Sequence, residues 1–411
     1  MEETNTIKFP AVGDCVELGQ VIGTVGWPSL GRPHLHYEMR NRLPNEGGPG
    51  YVSNNPLNDG WFNPQDFTSL WKARFNPAFV SALSFDIVPT LSPKLSDTGA
   101  YIVASNDIIS AIVAPGQVLW RVQTDGTITS FATLSGDRVV AHTLNGQTVT
   151  LQGGRYAAIW TVESGDKPFV ELSDRLIFPT ADNTLTAFDA SGSTIWQRTA
   201  TEGSRFIYLG SNDNQLGIVE QSTNEAKWLD VNADGQIVGE TPLTSTPVVA
   251  PQPDGSWLII DGLQVKRLHG GQNQNVATLD AAPGLATQLV SDSSGNIYIY
   301  VDVATRQLVA LAADGSPRWN IAYPNAENTS LPLLAVGNGC WLYSLESNGQ
   351  LNVFSGADGQ LLNQLDLYAG GRRTTQPLAR LLTVNSAEQV QVSSGFLTMV
   401  TLDGSQLGGS C

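Results

Sequence analysis

The sequence predicts an all-β protein made of two unlike parts. Charged residues are only 15% of the 411 residues, whereas Gly contributes 41 and Pro 22; an ordinary soluble domain carries roughly 25% charged residues. Residues 75–411 are a series of short strand patterns broken by D-G, S-G and N-G turns, as expected for consecutive hairpins. Residues 1–70 are instead dense in Gly, Pro, Asn and aromatic residues. We place the boundary near Trp71–Phe75.

Composition excludes several classes of protein. A hydrophobic content of 41% is too high for a disordered chain, and no window approaches 18 uninterrupted apolar residues, so no membrane span is expected. The net charge is −16. Nucleic-acid binding is not expected, because phosphate neutralisation needs clustered Lys and Arg. The first residues lack the basic and apolar regions of a signal peptide.

The second part contains a repeated pattern that ends in Trp. The clearest copies are IISAIVAPGQVLW, LTAFDASGSTIW and LVALAADGSPRW. Eight copies occur. Five of them end at a Trp, namely Trp120, Trp160, Trp196, Trp228 and Trp319. The other three lack the Trp and cover 264–276, 351–363 and 396–408. They define units of about 42 residues, a period typical of a β-propeller.

A propeller explains why the units repeat, because a four-stranded blade buries its second face only against its neighbours. We predict eight blades over residues 75–411, with seven as the alternative, because three units lack the Trp. The Trp residues are expected to fill the wedges between blades rather than to stack on a ligand.

The repeat resembles the pyrroloquinoline-quinone-type propeller repeat. AFDASGSTIW (187–196) matches its A-x-D-x-x-G-x-x-x-W pattern well, and residues 310–319 and 111–120 match more loosely. Quinone-dependent dehydrogenases of this type carry adjacent cysteines, and none of the three cysteines here are adjacent. The resemblance therefore implies a cofactor-free propeller that presents loops to proteins or polysaccharides, and no quinone is expected.

Two smaller features leave alternatives open. DVNADGQIVGET (230–241) begins like a calcium loop with Asp230, Asn232 and Asp234, but position twelve is Thr241, so a plain turn is favoured. A Cys340–Cys411 disulfide is possible, and three reduced cysteines are the alternative.

The segment GRPHLHYEMR (31–40) carries the residue types of a metal centre. On a strand, His34, His36 and Glu38 share one face. Two imidazoles so placed can serve one zinc, because one nitrogen binds the metal while the other ring reaches the metal-bound water. Surface or hydrogen-bonded histidines are the alternative.

The residues around the two histidines carry a second resemblance. VGDCVELGQVIGTVG (12–26), followed by GRPHLHYE, closely resembles the C-terminal half of the lysostaphin/LytM-type zinc endopeptidases, β-sheet enzymes that cut peptide cross-bridges of peptidoglycan. The resemblance covers residues 8–67. It implies that His36 is a zinc ligand and that His34 assists the attacking water or the developing oxyanion.

The other zinc ligands of that family have no counterpart here. They form an H-x-x-x-D motif upstream, but no His occurs before His34, and Asp14 falls in a G-D turn. A catalytic zinc needs three protein ligands, so we expect this chain to be inactive as a peptidase. Either Met1 is an internal or misassigned start of a longer secreted protein, or the chain is complete and its first part is a non-catalytic remnant.

Two functions follow as hypotheses. In the first, residues 1–70 are the C-terminal half of a LytM-type zinc endopeptidase that acts on peptidoglycan peptides, and the propeller targets it. In the second, the molecule is a non-enzymatic scaffold, and the propeller binds an envelope protein or glycan. Both place a monomeric protein outside the cell or in the cell envelope.

Overall fold

Strands and turns make up nearly all of the described chain. The structure, a computed structural model, describes residues 10–11, 14–15, 20, 39–40 and 61–62, and then residues 74–409 except 86, 88, 115, 163–167, 181–182, 213–214, 253, 281–283, 285–286, 303–304, 325–330, 368–380 and 394–397. The chain divides into two compact units, Met1–Phe67 and Thr68–Cys411. Along the described ranges no helix has the length and apolar character needed to cross a membrane.

In the first unit the described strands are β1 (Met39–Arg40) and β2 (Trp61–Phe62), which pair antiparallel. The strand predicted over 31–40 is described only at these last two residues. His34 and His36 lie outside the described residues, as do most of the residues that resemble the peptidase.

The second unit consists of eight four-stranded antiparallel sheets, here called blades 1 to 8. Blades 1 and 2 contain β4 (Lys94–Leu95), β5 (Tyr101–Ser105), β6 (Ile108–Val113) and β7 (Gln117–Gln123), then β8 (Ile128–Leu134), β9 (Arg138–Thr143), β10 (Gln147–Gln152) and β11 (Arg155–Thr161). Blades 3 and 4 contain β12 (Val170–Leu172), β13 (Arg175–Thr180), β14 (Thr184–Phe188) and β15 (Thr194–Thr199), then β16 (Arg205–Ser211), β17 (Gln215–Gln221), β18 (Ala226–Asn232) and β19 (Ile237–Leu243).

Blades 5 and 6 contain β20 (Val248–Pro251), β21 (Trp257–Asp261), β22 (Gln264–His269) and β23 (Gln272–Thr278), then β24 (Gln288–Ser291), β25 (Ile297–Val301), β26 (Gln307–Leu311) and β27 (Pro317–Ala322). Blade 7 contains β28 (Leu333–Val336), β29 (Trp341–Leu345), β30 (Gln350–Ser355) and β31 (Leu361–Asp366). Blade 8 contains β32 (Leu381–Val384), β33 (Gln389–Ser393), β34 (Thr398–Asp403) and β3 (Phe79–Ser84), and the short helix α1 (Gly404–Gly408) follows β34.

The blades form a closed propeller. First strands of successive blades contact one another, for example β24 with β28 and β28 with β32, so these strands are innermost. The second strands are buried on both faces; every residue of WLIID, IYIYV and WLYSL in blades 5 to 7 is buried. Such uninterrupted apolar runs are what a doubly covered strand requires. The predicted all-β class and the eight-bladed propeller are confirmed.

The ring closes between the two ends of the propeller segment. The outer strand of blade 8 is β3, which pairs with β34 so that Ala82 lies opposite Val400 and Leu83 opposite Met399. The repeat copy at 396–408 supplies only the third strand of this blade, and β3 supplies the fourth. After β34, the side chain of Asp403 accepts a hydrogen bond from Ser405 N (2.9 Å) and caps helix α1 instead.

Trp side chains of outer strands lie against glycines of the next blade. Trp160 packs on Gly192, Trp196 on Gly235 and Trp319 on Gly359. Each glycine lies in the turn between the third and fourth strands of its blade. Trp196 Nε1 also donates to Ala233 O at 2.9 Å. The predicted wedge-filling role is thereby confirmed for these Trp residues.

Trp228 has a structural role but a different position from the one the repeat alignment predicted. It lies in the third strand of blade 4, is fully buried and packs edge-on against Trp257 with ring centroids 5.1 Å apart. The position equivalent to the outer-strand Trp is Gly239, whose Cα approaches Gly271 of blade 5. Two facing glycines thus replace the Trp–Gly contact at this blade junction.

Replacing Gly235 with Ala should destabilise the propeller, because a Cβ there would lie 2.7 Å from the Trp196 ring. The matched control is Gly203→Ala, since Gly203 has nearly the same φ (+78° against +80°) but nothing within 4 Å of its Cβ position. Both substitutions carry the cost of a positive φ. We expect Gly235→Ala to lose about 1–3 kcal/mol more than the control, measured by urea unfolding. Equal losses of unfolding free energy in the two variants would contradict a role for the Trp196–Gly235 contact in stability.

The three cysteines differ in state. Cys340 is disulfide-bonded, so the alternative of three reduced cysteines is wrong. Cys15 is a free, exposed thiol. Cys411 lies outside the described residues, and its pairing with Cys340 stays a prediction.

Candidate functional site

The structure describes few of the residues that the sequence singled out for chemistry. His34 and His36 lie outside the described residues, so their zinc and catalytic roles stay predictions. His142 is fully buried with Nδ1 2.8 Å from Thr148 Oγ1, as expected for a structural residue. Within the described part of the chain, no group of three or more His, Cys, Asp or Glu side chains is placed to hold a metal.

The calcium-like segment forms the turn between β18 and β19. Asn232 Oδ1 accepts hydrogen bonds from the backbone N of Asp234 (3.0 Å) and Gln236 (2.9 Å). Asp230 is buried and accepts from Trp228 Nε1 at 2.7 Å, while Asp234 pairs with Arg175 of blade 3 at 3.0 Å. The oxygens of these side chains therefore already have protein partners within the turn, on Trp228 and on Arg175 of blade 3.

At one end of the propeller, turns between the first and second strands are hydrogen-bonded across four of the eight blade junctions, those of blades 1–2, 2–3, 4–5 and 7–8. These bonds run from Gly136 N to Asp97 Oδ2 (3.0 Å), from Ser135 N to Asp174 Oδ1 (2.9 Å), from Asn212 Nδ2 to Gly255 O (2.9 Å) and from Asn338 N to Glu388 Oε1 (2.7 Å). We call this set of turns the turn ring. Because neighbouring blades share it, the ring presents its side chains from fixed positions.

Asp174 shows how the turn ring stabilises charge. Its carboxylate accepts from Ser135 N and Ser135 Oγ and lies 3.3 Å from Arg138 Nη2. Partial burial acts to raise the pKa of Asp174, but these hydrogen bonds and the Arg138 charge outweigh it and lower the pKa below its usual value. Asp174 therefore stays ionised at neutral pH.

Exposed apolar side chains lie along the outer strands of blades 1 to 4. Each is between 39% and 59% exposed: Val118, Leu119, Tyr156, Ile159, Ile195, Ile237 and Val238. We call them the apolar edge. Of the described residues in the outer strands of blades 5 and 6, no large apolar side chain is exposed. Blades 7 and 8 also carry exposed apolar side chains in their outer strands, at Leu361, Leu362 and Val80 (36%, 39% and 45% exposed). The exposed apolar surface of the described residues therefore spans six neighbouring blades, 7, 8 and 1 to 4, and the apolar edge is its part on blades 1 to 4.

Every outer strand carries a β-bulge. The extra residues, one per blade from blade 1 to blade 8, are Leu119, Ala157, Ile195, Val238, Val276, Arg318, Leu362 and Val80. A bulge interrupts regular pairing and discourages addition of another strand at a sheet edge. A partner at the apolar edge would therefore contact side chains rather than extend a sheet.

The sequence contains a signal for part of this edge. Leu119 and Ile195 each precede a repeat Trp, and both are exposed, bulged residues of their strands. Val238 occupies the same place before Gly239. An apolar residue repeated on the solvent side of a strand is a surface feature worth examining.

The central channel holds a cavity of about 670 Å³. Its lining comes from blades 1, 3 and 4: Lys94, Phe169, Val170, Glu171, Leu172, Ser173, Asp174, Ser211 and Asn212. It opens beside the turn ring, to which Asp174 and Asn212 belong. Sequence reasoning marked none of these residues.

Comparisons with known proteins show what the propeller is similar to. Residues 104–251 match the family model described as outer membrane protein assembly factor BamB. The crystal structure of BamB from Moraxella catarrhalis superposes with a TM-score of 0.55 at 16% identity, covering 79% of this chain and 99% of that chain. No curated protein matches the sequence.

Other solved propellers are similarly related in fold. The computationally designed Ika8 protein gives a TM-score of 0.52 at 15% identity over 79% of this chain and 98% of its own. Saccharomyces cerevisiae Sqt1 gives 0.54 at 11% identity over 80% and 99%. At these identities the structures show the fold alone. The second unit is thus an eight-bladed propeller similar to the PQQ-like, BamB type, and no comparison supports the peptidase resemblance of residues 8–67.

Proposed function

We propose that the propeller is a protein-binding scaffold of the cell envelope and that its partner docks on the apolar edge of blades 1 to 4. The family model of an outer membrane protein assembly factor supports this setting, and it covers 104–251, the same blades that carry the edge.

The distribution of the exposed apolar side chains carries the proposal. Ten exposed apolar side chains lie on the outer strands of six neighbouring blades, seven of them on blades 1 to 4, and each costs solvation free energy of about 25 cal/mol per Å² of exposed apolar surface. Clusters of this kind on a folded protein mark binding surfaces more often than scattered ones do. The acidic propeller segment, with 16 basic and 30 acidic residues after Phe75, favours a partner with a basic rim.

A protein partner fits better than a glycan. Sugar rings stack on exposed aromatic faces, and the described exposed aromatic residues are only Phe75 and Tyr156. The half-buried Trp residues of the outer strands are occupied by their contacts with glycines. An aliphatic edge instead resembles the centre of a protein–protein interface.

We retain as a second proposal that residues 8–67 derive from a zinc endopeptidase, with His36 as a zinc ligand and His34 as the group assisting the water. The H-x-H motif and its flanking glycine turns support it. In a protein that carries the complete domain, His34→Ala should abolish peptide hydrolysis while zinc stays bound, and retained hydrolysis would contradict the assignment.

A photo-reactive residue at Val238 should capture the partner in living cells. We expect one discrete protein adduct there, because Val238 lies in the apolar edge and is 41% exposed. Leu144 is the matched control; it is 55% exposed but lies in the turn between the second and third strands of blade 2, at the opposite end of the propeller. Ile195→Asp should reduce the Val238 adduct at least about fivefold, a loss typical of an interface anchor. Equal adducts at Val238 and Leu144 would contradict the docking site.

A further inference from the structure

The cavity in the central channel has the size and position of a small-molecule site. Its volume of about 670 Å³ lies within the range of roughly 300–1,000 Å³ that ligand pockets occupy. Its described lining is mainly polar: Phe169 and Leu172 are buried and expose little surface to it, whereas Ser173, Ser211 and Asn212 add polar groups. A lining of this kind suits a charged ligand, because charge-assisted hydrogen bonds can hold it.

Two opposite charges from different blades enter this cavity. Lys94 comes from the innermost strand of blade 1, and its Nζ lies 5.5 Å from the centroid of the Phe131 ring. Glu171 comes from the innermost strand of blade 3. Among the described residues, neither side chain has a hydrogen bond or an ion pair with another side chain or the backbone. The inner strands of the propeller therefore place an ammonium and a carboxylate in one cavity without an ion pair between them.

The two charged groups differ in exposure, since Lys94 is exposed to solvent and Glu171 is half-buried. Desolvation by the surrounding protein lowers the pKa of Lys94, and the nearby Glu171 offsets this only in part. Burial raises the pKa of Glu171, with Lys94 opposing and Asp174 adding to that rise. Asp174 is already satisfied by Ser135 and Arg138. A ligand that carries both charges can therefore pair with Lys94 and Glu171 together, because both line the same cavity.

We propose that this cavity binds a zwitterion of the amino-acid class, whose carboxylate pairs with Lys94 and whose ammonium pairs with Glu171. A simple anion would meet the carboxylates of Glu171 and Asp174, and a simple cation would meet Lys94, so neither matches the cavity. Charge-assisted hydrogen bonds at both ends supply the affinity. The site is distinct from the proposed protein-docking edge, which faces outward on blades 1 to 4. Free amino acids and short peptides share the required chemistry.

Calorimetric titration of the full chain at pH 7 tests the proposal. The probes are glycine, 4-aminobutyrate, 6-aminohexanoate and triglycine, with hexanoate and hexylamine as single-charge controls. We expect at least one zwitterion to bind with a 1:1 stoichiometry and at least tenfold more tightly than both controls. Triglycine as the best probe would identify peptides as the ligand class, and an ω-amino acid as the best probe would identify free amino acids.

Single-residue variants distinguish binding in this cavity from nonspecific attraction to charged residues elsewhere on the protein. Lys94→Met and Glu171→Gln should each weaken zwitterion binding at least tenfold. Lys227→Met changes a half-buried lysine of blade 4 outside the described cavity lining and should leave binding unchanged. Thermal melts establish that each variant is folded. Equal binding of hexanoate, no zwitterion binding at millimolar concentration, or full affinity in either cavity variant would overturn the proposal. None of these outcomes bears on the docking of a protein at the apolar edge.

Discussion

Leu83→Asp is expected to open the propeller ring. Leu83 is 4% exposed and packs with Val103 and Ile112 of blade 1 and Met399 of blade 8, so it seals the junction at which the circle closes. The substitution removes a buried Leu and places a carboxylate among apolar side chains. We expect a loss of at least about 4 kcal/mol in the free energy of unfolding. At roughly 2 °C per kcal/mol for a large domain, the melting temperature should fall by about 8 °C or more.

A control within the same strand isolates the effect of position. Val80 is the bulged residue of β3 and is 45% exposed, so Val80→Asp should change stability by less than about 1 kcal/mol. Limited proteolysis followed by mass spectrometry should find new cleavage around residues 79–84 in Leu83→Asp alone. Closely matching melting curves for the two variants would show that closure does not depend on this contact.

Asp261→Asn is expected to have the second large effect. Asp261 is buried at the end of β21, where Oδ1 accepts hydrogen bonds from Thr244 N (2.8 Å) and Ser245 N (2.8 Å) in the connection from blade 4. Its Oδ2 lies 2.6 Å from Lys266 Nζ. Removing the negative charge leaves the buried Lys266 ammonium without its partner, at a cost of about 3–5 kcal/mol. Urea unfolding at pH 7 measures the loss.

A surface carboxylate provides the comparison for this substitution. Glu240 is 52% exposed and lies 3.6 Å from Lys227 Nζ, so Glu240→Gln should cost no more than about 1 kcal/mol. Adding Lys266→Met to Asp261→Asn should recover part of the loss, because the unpaired ammonium is then gone. A double variant no more stable than Asp261→Asn would show that the hydrogen bonds, and not the ion pair, dominate.

The effect of Asp261 should also depend on pH. Burial acts to raise the pKa of Asp261, but the hydrogen bonds from Lys266 and Thr244 outweigh it and hold the pKa below its usual value. A carboxyl whose pKa is lower in the folded chain stabilises fully above the unfolded value of about 4 and loses that contribution as the pH falls through the folded value. The stability gap between the natural chain and Asp261→Asn should therefore narrow on acidification below about pH 4.

The regular parts of the propeller could be predicted because their causes are local. A turn Gly followed four residues later by a Trp, as in Gly192 and Trp196, predicts both a hairpin and a Trp that packs between blades. Trp228 misled the alignment because it follows an S-T-N-E turn, which joins the second and third strands rather than the third and fourth. The number of blades was predicted from the period of the repeat rather than from any single copy.

The non-local features could not be predicted in the same way. The strand FVSALS at 79–84 has the pattern of any short strand, and nothing near it indicates that its partner is β34. Lys94 and Glu171 stand in inner strands without a shared motif, and they meet only because the ring brings blades 1 and 3 to one channel. Their importance depends on three-dimensional placement, which composition and spacing do not encode.

Closure of blade 8 by β3 has a consequence for synthesis of the chain. About 315 residues separate β3 from β34, which a ribosome adding roughly 5–20 residues per second needs about 15–60 s to produce. Throughout that time β3 has no partner and the first blade lacks its neighbour on one side. Pairing of β3 with β34 therefore joins the first and the last strands of the propeller to be synthesised. Until β34 has been made, residues 79–84 remain available to factors that bind nascent chains.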